Sequence, residues 1–65
     1  MKASEIRELT GEELAQRIDD ARKELFNLRL QQTGGQLEKP SRIREVRRDI
    51  ARMSTEARHR QKVSR

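Results

Sequence analysis

The sequence predicts an all-α protein, a long antiparallel two-helix hairpin with a short N-terminal helix, and three observations carry that prediction. Apolar residues recur at steps of three and four along two stretches; a Gly-Gly pair and a proline separate those stretches; and no segment alternates apolar and polar residues with a period of two. β-Branched residues are few, and Phe26 is the sole aromatic.

Ile6 and Leu9 suit a short N-terminal turn laid against the hairpin. Thr10-Gly11-Glu12-Glu13 then fits a capping box, with the Thr10 hydroxyl accepting from the Glu13 N–H and the Glu13 carboxylate reaching back to the Thr10 N–H. Leu9 and Leu14 flank it as a hydrophobic staple. From Leu14 the stripe continues through Ile18, Ala21, Leu25 and Leu28, which predicts a helix over about residues 10–33. Glu13 with Arg17 and Asp19 with Lys23 are acid-first i,i+4 pairs suited to its exposed face. Gly34-Gly35 supplies a left-handed terminator and Pro40 suits the first turn of the next helix, so the hinge spans about residues 34–39. Ile43, Val46, Ile50, Met53 and Ala57 form the second stripe, predicting a helix over about residues 40–60 and a frayed tail from about Gln61 to Arg65. The whole chain, 1–65, reads as one domain shaped as a rod.

Size and charge bound the function. At 65 residues a single core is marginal without disulfide, metal or partner, and the chain has no cysteine. No apolar run is long enough to span a membrane, and Met1-Lys2 leads into Glu5 and Glu8 rather than a signal-peptide core, so an unprocessed cytoplasmic protein is expected. Residues 1–38 hold six Lys/Arg against eight Asp/Glu, a net of −2, whereas residues 39–65 hold ten against three, a net of +7. A basic partner surface therefore belongs to the second half. Twelve of the sixteen cations are arginine, the side chain suited to bidentate phosphate contact.

On the second helix the signs are segregated. Counting 100° per residue from Ile43, Arg47 lies at about 40°, Arg58 at about 60°, Arg44 and Lys62 at about 100°, Arg48 at about 140° and Arg52 at about 180°. Glu45, Glu56 and Asp49 gather at about 200° to 240°, on the other flank of the apolar stripe, and Arg42 lies close to them at about 260°. A face built only for solubility gains from interspersed signs, yet Arg44 and Arg48 repel at i,i+4. A polyanion removes that repulsion, and Ala51 within the stripe allows close approach. With a single aromatic, a general single-strand binder is disfavoured; contact with the backbone of folded or duplex nucleic acid is expected, with steep salt dependence. Arg44, Arg47, Arg48 and Arg52 are the expected phosphate contacts, Arg58 and Lys62 extend them, and Arg42 pairs with the acidic flank.

Phe26 and Leu30 lie at about 120° and 160° from Leu14, off the apolar stripe. Either Ile6 or Leu9 folds back over them, or they form an exposed patch for a partner protein. Catalysis finds no support: Asp19 and Asp20 point to different sides of a helix, His59 has no ligand companions at helical spacing, and no phosphate-cradling glycine motif occurs. No enzyme activity, metal or cofactor is expected.

The stretch KPSRIREVRRDIARM, residues 39–53, resembles the signature of the bacterial-type large-subunit ribosomal protein L twenty-nine family, closing as Arg47-Arg48-Asp49-Ile50-Ala51-Arg52-Met53. MKASEIREL and EEL near the start, FNLR at 26–29 and GQL at 35–37 extend the resemblance over nearly the whole chain. It implies a two-helix hairpin that binds large-subunit ribosomal RNA, with Lys39, Arg44, Arg47, Arg48 and Arg52 as the family's basic positions. It also implies a place in the ribosome near the nascent-peptide tunnel exit, beside ribosomal protein L twenty-three, where chaperone and targeting factors dock. Two other readings share the pattern: a self-associating helical module whose arginines are only surface, and a DNA-compacting protein without preference for RNA.

Overall fold

The computed structural model describes residues 1–36 and 38–63, and every regular element among them is a helix: α1 (Ala3–Glu8), α2 (Gly11–Thr33) and α3 (Ser41–Val63). Helices α2 and α3 pair as the long hairpin, and α1 packs on α3. The molecule measures 46 × 17 × 15 Å with a radius of gyration of 13.5 Å, against about 11 Å for a compact globule of this length. It is a rod, as the two stripes require.

The capping box forms. Thr10 N–H donates to Glu13 Oε1 at 3.0 Å and Glu13 N–H donates to Thr10 Oγ1 at 3.1 Å, which holds the Glu13 carboxyl below the usual glutamate range, chiefly through the backbone bond from Thr10. The expected Glu13–Arg17 ion pair does not form: the Glu13 carboxylate is turned back onto the cap, and Arg17 acts on it only as a nearby charge. Asp19 and Lys23 do pair, at 3.0 Å, and the bond to Asp19 raises the Lys23 pKa.

The end of α2 is a Schellman turn: Gln36 N–H donates to the Gln31 carbonyl at 2.8 Å and Gly35 N–H to the Gln32 carbonyl at 3.1 Å. The left-handed residue is Gly35, at φ 71°, whereas Gly34 keeps a negative φ of −81°. Leu37, in the loop segment of the resemblance, lies outside the described residues. Pro40 directly precedes α3 and its carbonyl accepts from the Ile43 N–H at 3.2 Å.

Helix α3 continues through Gln61, Lys62 and Val63, where the sequence predicts a frayed tail. Backbone bonds alone extend a helix once it is nucleated, and Arg60 and Lys62 in its last turn complement the negative end of the dipole. Ser64 and Arg65, the rest of that tail, lie outside the described residues.

The core sits towards one end. Ile6, Leu14 and Met53 are buried together, with Met1, Leu9, Ile18, Ala21 and Ala57 packed around them; among the described residues Val46 is the other buried apolar side chain. Leu9 and Leu14 thus act as the staple. Toward the hinge the stripe residues Leu25, Leu28 and Ile43 are only half-buried. A six-residue helix such as α1 has no independent stability, so the burial of Ile6 is what holds it. Neither Ile6 nor Leu9 covers Phe26 or Leu30: both are engaged around Met53, and Phe26 and Leu30 remain 63% and 56% exposed.

Candidate nucleic-acid interface

The two flanks of α3 are treated differently by the fold. On the acidic flank, all three carboxylates have partners: Glu45 pairs with Arg42 at 3.2 Å, Asp49 with the Met1 amino group at 3.0 Å, and Glu56 with Arg60 at 3.3 Å. Arg42 also donates to Glu24 of α2, Nη2 at 2.7 Å and Nε at 2.9 Å. These bonds, that to Glu24 foremost, raise its pKa. Its position beside the acids dictates this: Arg42 is a strut between the helices near the hinge.

Arg60 is a residue that sequence reasoning missed. Its Nη2 donates to the carbonyls of Ile6 and Arg7, at 3.2 and 3.3 Å, so it receives the C-terminal end of α1, where the Ile6 carbonyl also accepts from the Leu9 N–H at 3.2 Å. The available signal was angular, since Arg60 shares the position of Arg42 at about 260° and follows Glu56 by four residues. What it bonds to across the fold was not legible locally.

On the basic flank the cations are uncompensated. Arg44, Arg47, Arg48, Arg58 and Lys62 are exposed, and none of their side chains forms a hydrogen bond or ion pair with another described residue. Lys39 stands apart from them in the hinge, its side chain exposed and equally without such a bond; it lines a shallow groove with Leu28, Gln31, Gln36, Glu38 and Arg42. Arg52 differs: its Nη1 donates to the Met1 carbonyl at 2.8 Å, which draws it toward the acidic side. Between these cations, Ala51 is exposed, and the Thr55 hydroxyl folds back onto its carbonyl at 2.8 Å, leaving no long side chain there.

Sidedness follows from the helical count. In an antiparallel pair, turning the same way from each apolar stripe leads to the same side of the hairpin. The Glu24–Arg42 bridge marks one side, which also carries Met1, Arg17, Asp20 and Asp49 around a shallow groove. The other side carries Arg44, Arg47 and Arg58 of α3 together with Arg22, Phe26 and Arg29 of α2. One broad face of the rod is therefore basic with an apolar island, and the opposite face carries the ion pairs of the α3 carboxylates and of Glu24 with Arg42.

Among the described residues no helix is long and apolar enough to cross a membrane, and no group of three or more His, Cys, Asp or Glu is placed to hold a metal ion. Fold and surface together define a small helical-hairpin protein with one face of uncompensated arginine, the form expected of a component of a nucleic-acid assembly. Comparison with known proteins makes this specific. Residues 4–60 match the family model described as "Ribosomal L29 protein". The chain is 59% identical over 61 residues to "Large ribosomal subunit protein uL29" of Geobacillus stearothermophilus, covering 94% of this chain and 92% of that one. To the proteins of the same name from Carboxydothermus hydrogenoformans and Natranaerobius thermophilus it is 57% and 52% identical, over 94% of this chain and 88% and 94% of theirs. The chain belongs to the Ribosomal L29 protein family. It is a structural constituent of the large ribosomal subunit and not an enzyme.

Proposed function

We propose that the protein takes its place in the large subunit by laying the basic flank of α3 along ribosomal RNA phosphates. Arg44, Arg47 and Arg48 form the centre of the contact, Arg58 and Lys62 extend it along the rod, and Lys39 serves it from the hinge. Arg52 contributes from the margin, sharing its guanidinium with the Met1 carbonyl. The observation that carries this reading is the division of charge: every α3 carboxylate is paired on its own flank, so nothing within the described structure neutralises the opposite one. Phosphates supply the missing anions and release counterions as they bind. As the family resemblance implies, the protein sits in cytoplasmic ribosomes near the nascent-peptide tunnel exit, beside ribosomal protein L twenty-three and within reach of chaperone and targeting factors, and so serves translation.

Sedimentation of a tagged chain with cell ribosomes across a salt series tests this, comparing the native sequence with a variant carrying Arg44→Gln, Arg47→Gln and Arg48→Gln. The native chain co-migrates with the large subunit, and the variant dissociates at lower salt. On purified ribosomal RNA its salt slope is shallower by about two to three, roughly one per lost phosphate contact. Unchanged co-migration would move the contact off α3, and equal affinity for duplex DNA would remove the RNA preference. Amine cross-linking from Lys39 and Lys62 in purified large subunits tests the neighbour: conjugates with ribosomal protein L twenty-three are expected, and conjugates only with distant proteins would refute that placement.

A further inference from the structure

We propose that Phe26, with Leu30 beside it, is a stacking platform for a single unpaired base of the bound RNA, and that Arg22 and Arg29 hold phosphates on either side of that nucleotide. The proposal rests on the α3 stripe being an RNA contact and extends the interface to α2.

Three observations carry it. The first is exposure without cover: Phe26 is 63% and Leu30 56% exposed, and α1, the segment available to shield apolar residues, is spent on the Leu14–Met53 core. The second is the company Phe26 keeps. Its neighbours one helical turn away are Arg22, Lys23, Arg29 and Leu30. Lys23 is paired with Asp19, whereas the exposed guanidiniums of Arg22 and Arg29 bond to no described residue. They stand about 10 Å apart along the helix axis, one on each side of the ring. The third is sidedness, since this patch faces the same way as Arg44 and Arg47.

A protein partner seated on Phe26 and Leu30 would leave two unpaired guanidiniums at its rim unless it brought carboxylates to both. An RNA strand brings a phosphate on each side of every base, and an unstacked base offers the flat face that an aromatic ring accepts. The guanidiniums can also lie against the base. A lone phenylalanine does not make a single-strand binder, but it is sufficient to hold one base splayed from a folded RNA.

The full chain is titrated with purified large-subunit ribosomal RNA at fixed salt, using Phe26→Tyr, Phe26→Leu and the double variant Arg22→Gln with Arg29→Gln. Phe26→Leu keeps apolar bulk and helix propensity and is expected to weaken binding roughly 5- to 100-fold with an unchanged salt slope. Phe26→Tyr retains binding, and the double variant flattens the slope by about two. Ultraviolet cross-linking joins the Phe26 peptide to one nucleotide. Equal binding by Phe26→Leu and the native chain, with the α3 triple variant still impaired, overturns this proposal alone. If Phe26→Leu binds free RNA normally but is lost from assembled subunits, the occupant is a protein and the proposal is overturned. Failure of the native chain to bind the RNA overturns both readings.

Discussion

The two ends of the rod are built on different principles. At the α1 end three helices converge, Ile6, Leu14 and Met53 are buried, and polar tethers close over them: Arg60 onto the Ile6 and Arg7 carbonyls, Met1 onto Asp49, Arg52 onto the Met1 carbonyl. At the hinge end only two helices meet. Leu25, Leu28 and Ile43 are half-buried, Phe26 and Leu30 are exposed, and the chief link across the pair is the exposed Glu24–Arg42 bridge. Two helices side by side have too little mutual surface to enclose their stripes, whereas a third short helix suffices to close one end. Stability is thus concentrated where α1 sits, and the hinge end is left for an external surface to complete.

The sharpest way to break that comparison is to delete the same side chain at each end. Leu14→Ala removes a leucine that is 2% exposed and is expected to cost about 2–4 kcal/mol, a large part of what so small a domain possesses. Leu28→Ala, half-buried, should cost about half as much. Urea unfolding followed by circular dichroism compares them, and equal losses would refute an uneven core. A smaller effect separates α1 from the rest. Arg60→Met keeps the aliphatic stem and removes the bonds to α1, costing roughly 1–2 kcal/mol; hydrogen exchange should speed up at amides of α1 and stay unchanged in the hinge half of α2.

The hinge end can be probed at its turn. Gly35→Ala forces a side chain into φ 71° and is expected to cost about 1 kcal/mol, read as a lower melting temperature, while Gly34→Ala, at negative φ, costs less. The smallest effect belongs to the cap of α2. Glu13 has its pKa depressed in the folded chain, so the stability it contributes is fully present above the ordinary glutamate pKa and lost as pH falls through the depressed folded value. Comparing Glu13→Gln with the native chain by circular dichroism should show a difference at neutral pH that vanishes in acid. A difference that persisted in acid would show that the carboxylate charge does not matter to the cap.

Much of this architecture was legible locally. The Thr10–Glu13 box, the two stripes, the glycine turn and the segregation of charge on α3 are all properties of residues within a few positions of one another, where helical geometry alone decides who meets whom. The placement of Arg42 beside the acids was equally readable. Less so was the choice Glu13 makes: both the cap and Arg17 lie within its reach, and the competition was settled by the unsatisfied Thr10 N–H, which gains more from a carboxylate than an exposed ion pair does.

What the sequence by itself determined is therefore the helices, their apolar faces, the reversal between them and the flank on which the positive charge accumulates. Only the tertiary structure decided which end α1 would close, that Arg60 would receive its carbonyls and Arg52 that of Met1, and that Phe26 and Leu30 would stay uncovered. The physical reason is range. Periodicity and capping act over three or four residues and are written along the chain, whereas these contacts join residues about fifty positions apart and depend on how much surface two thin helices leave for a third to bury.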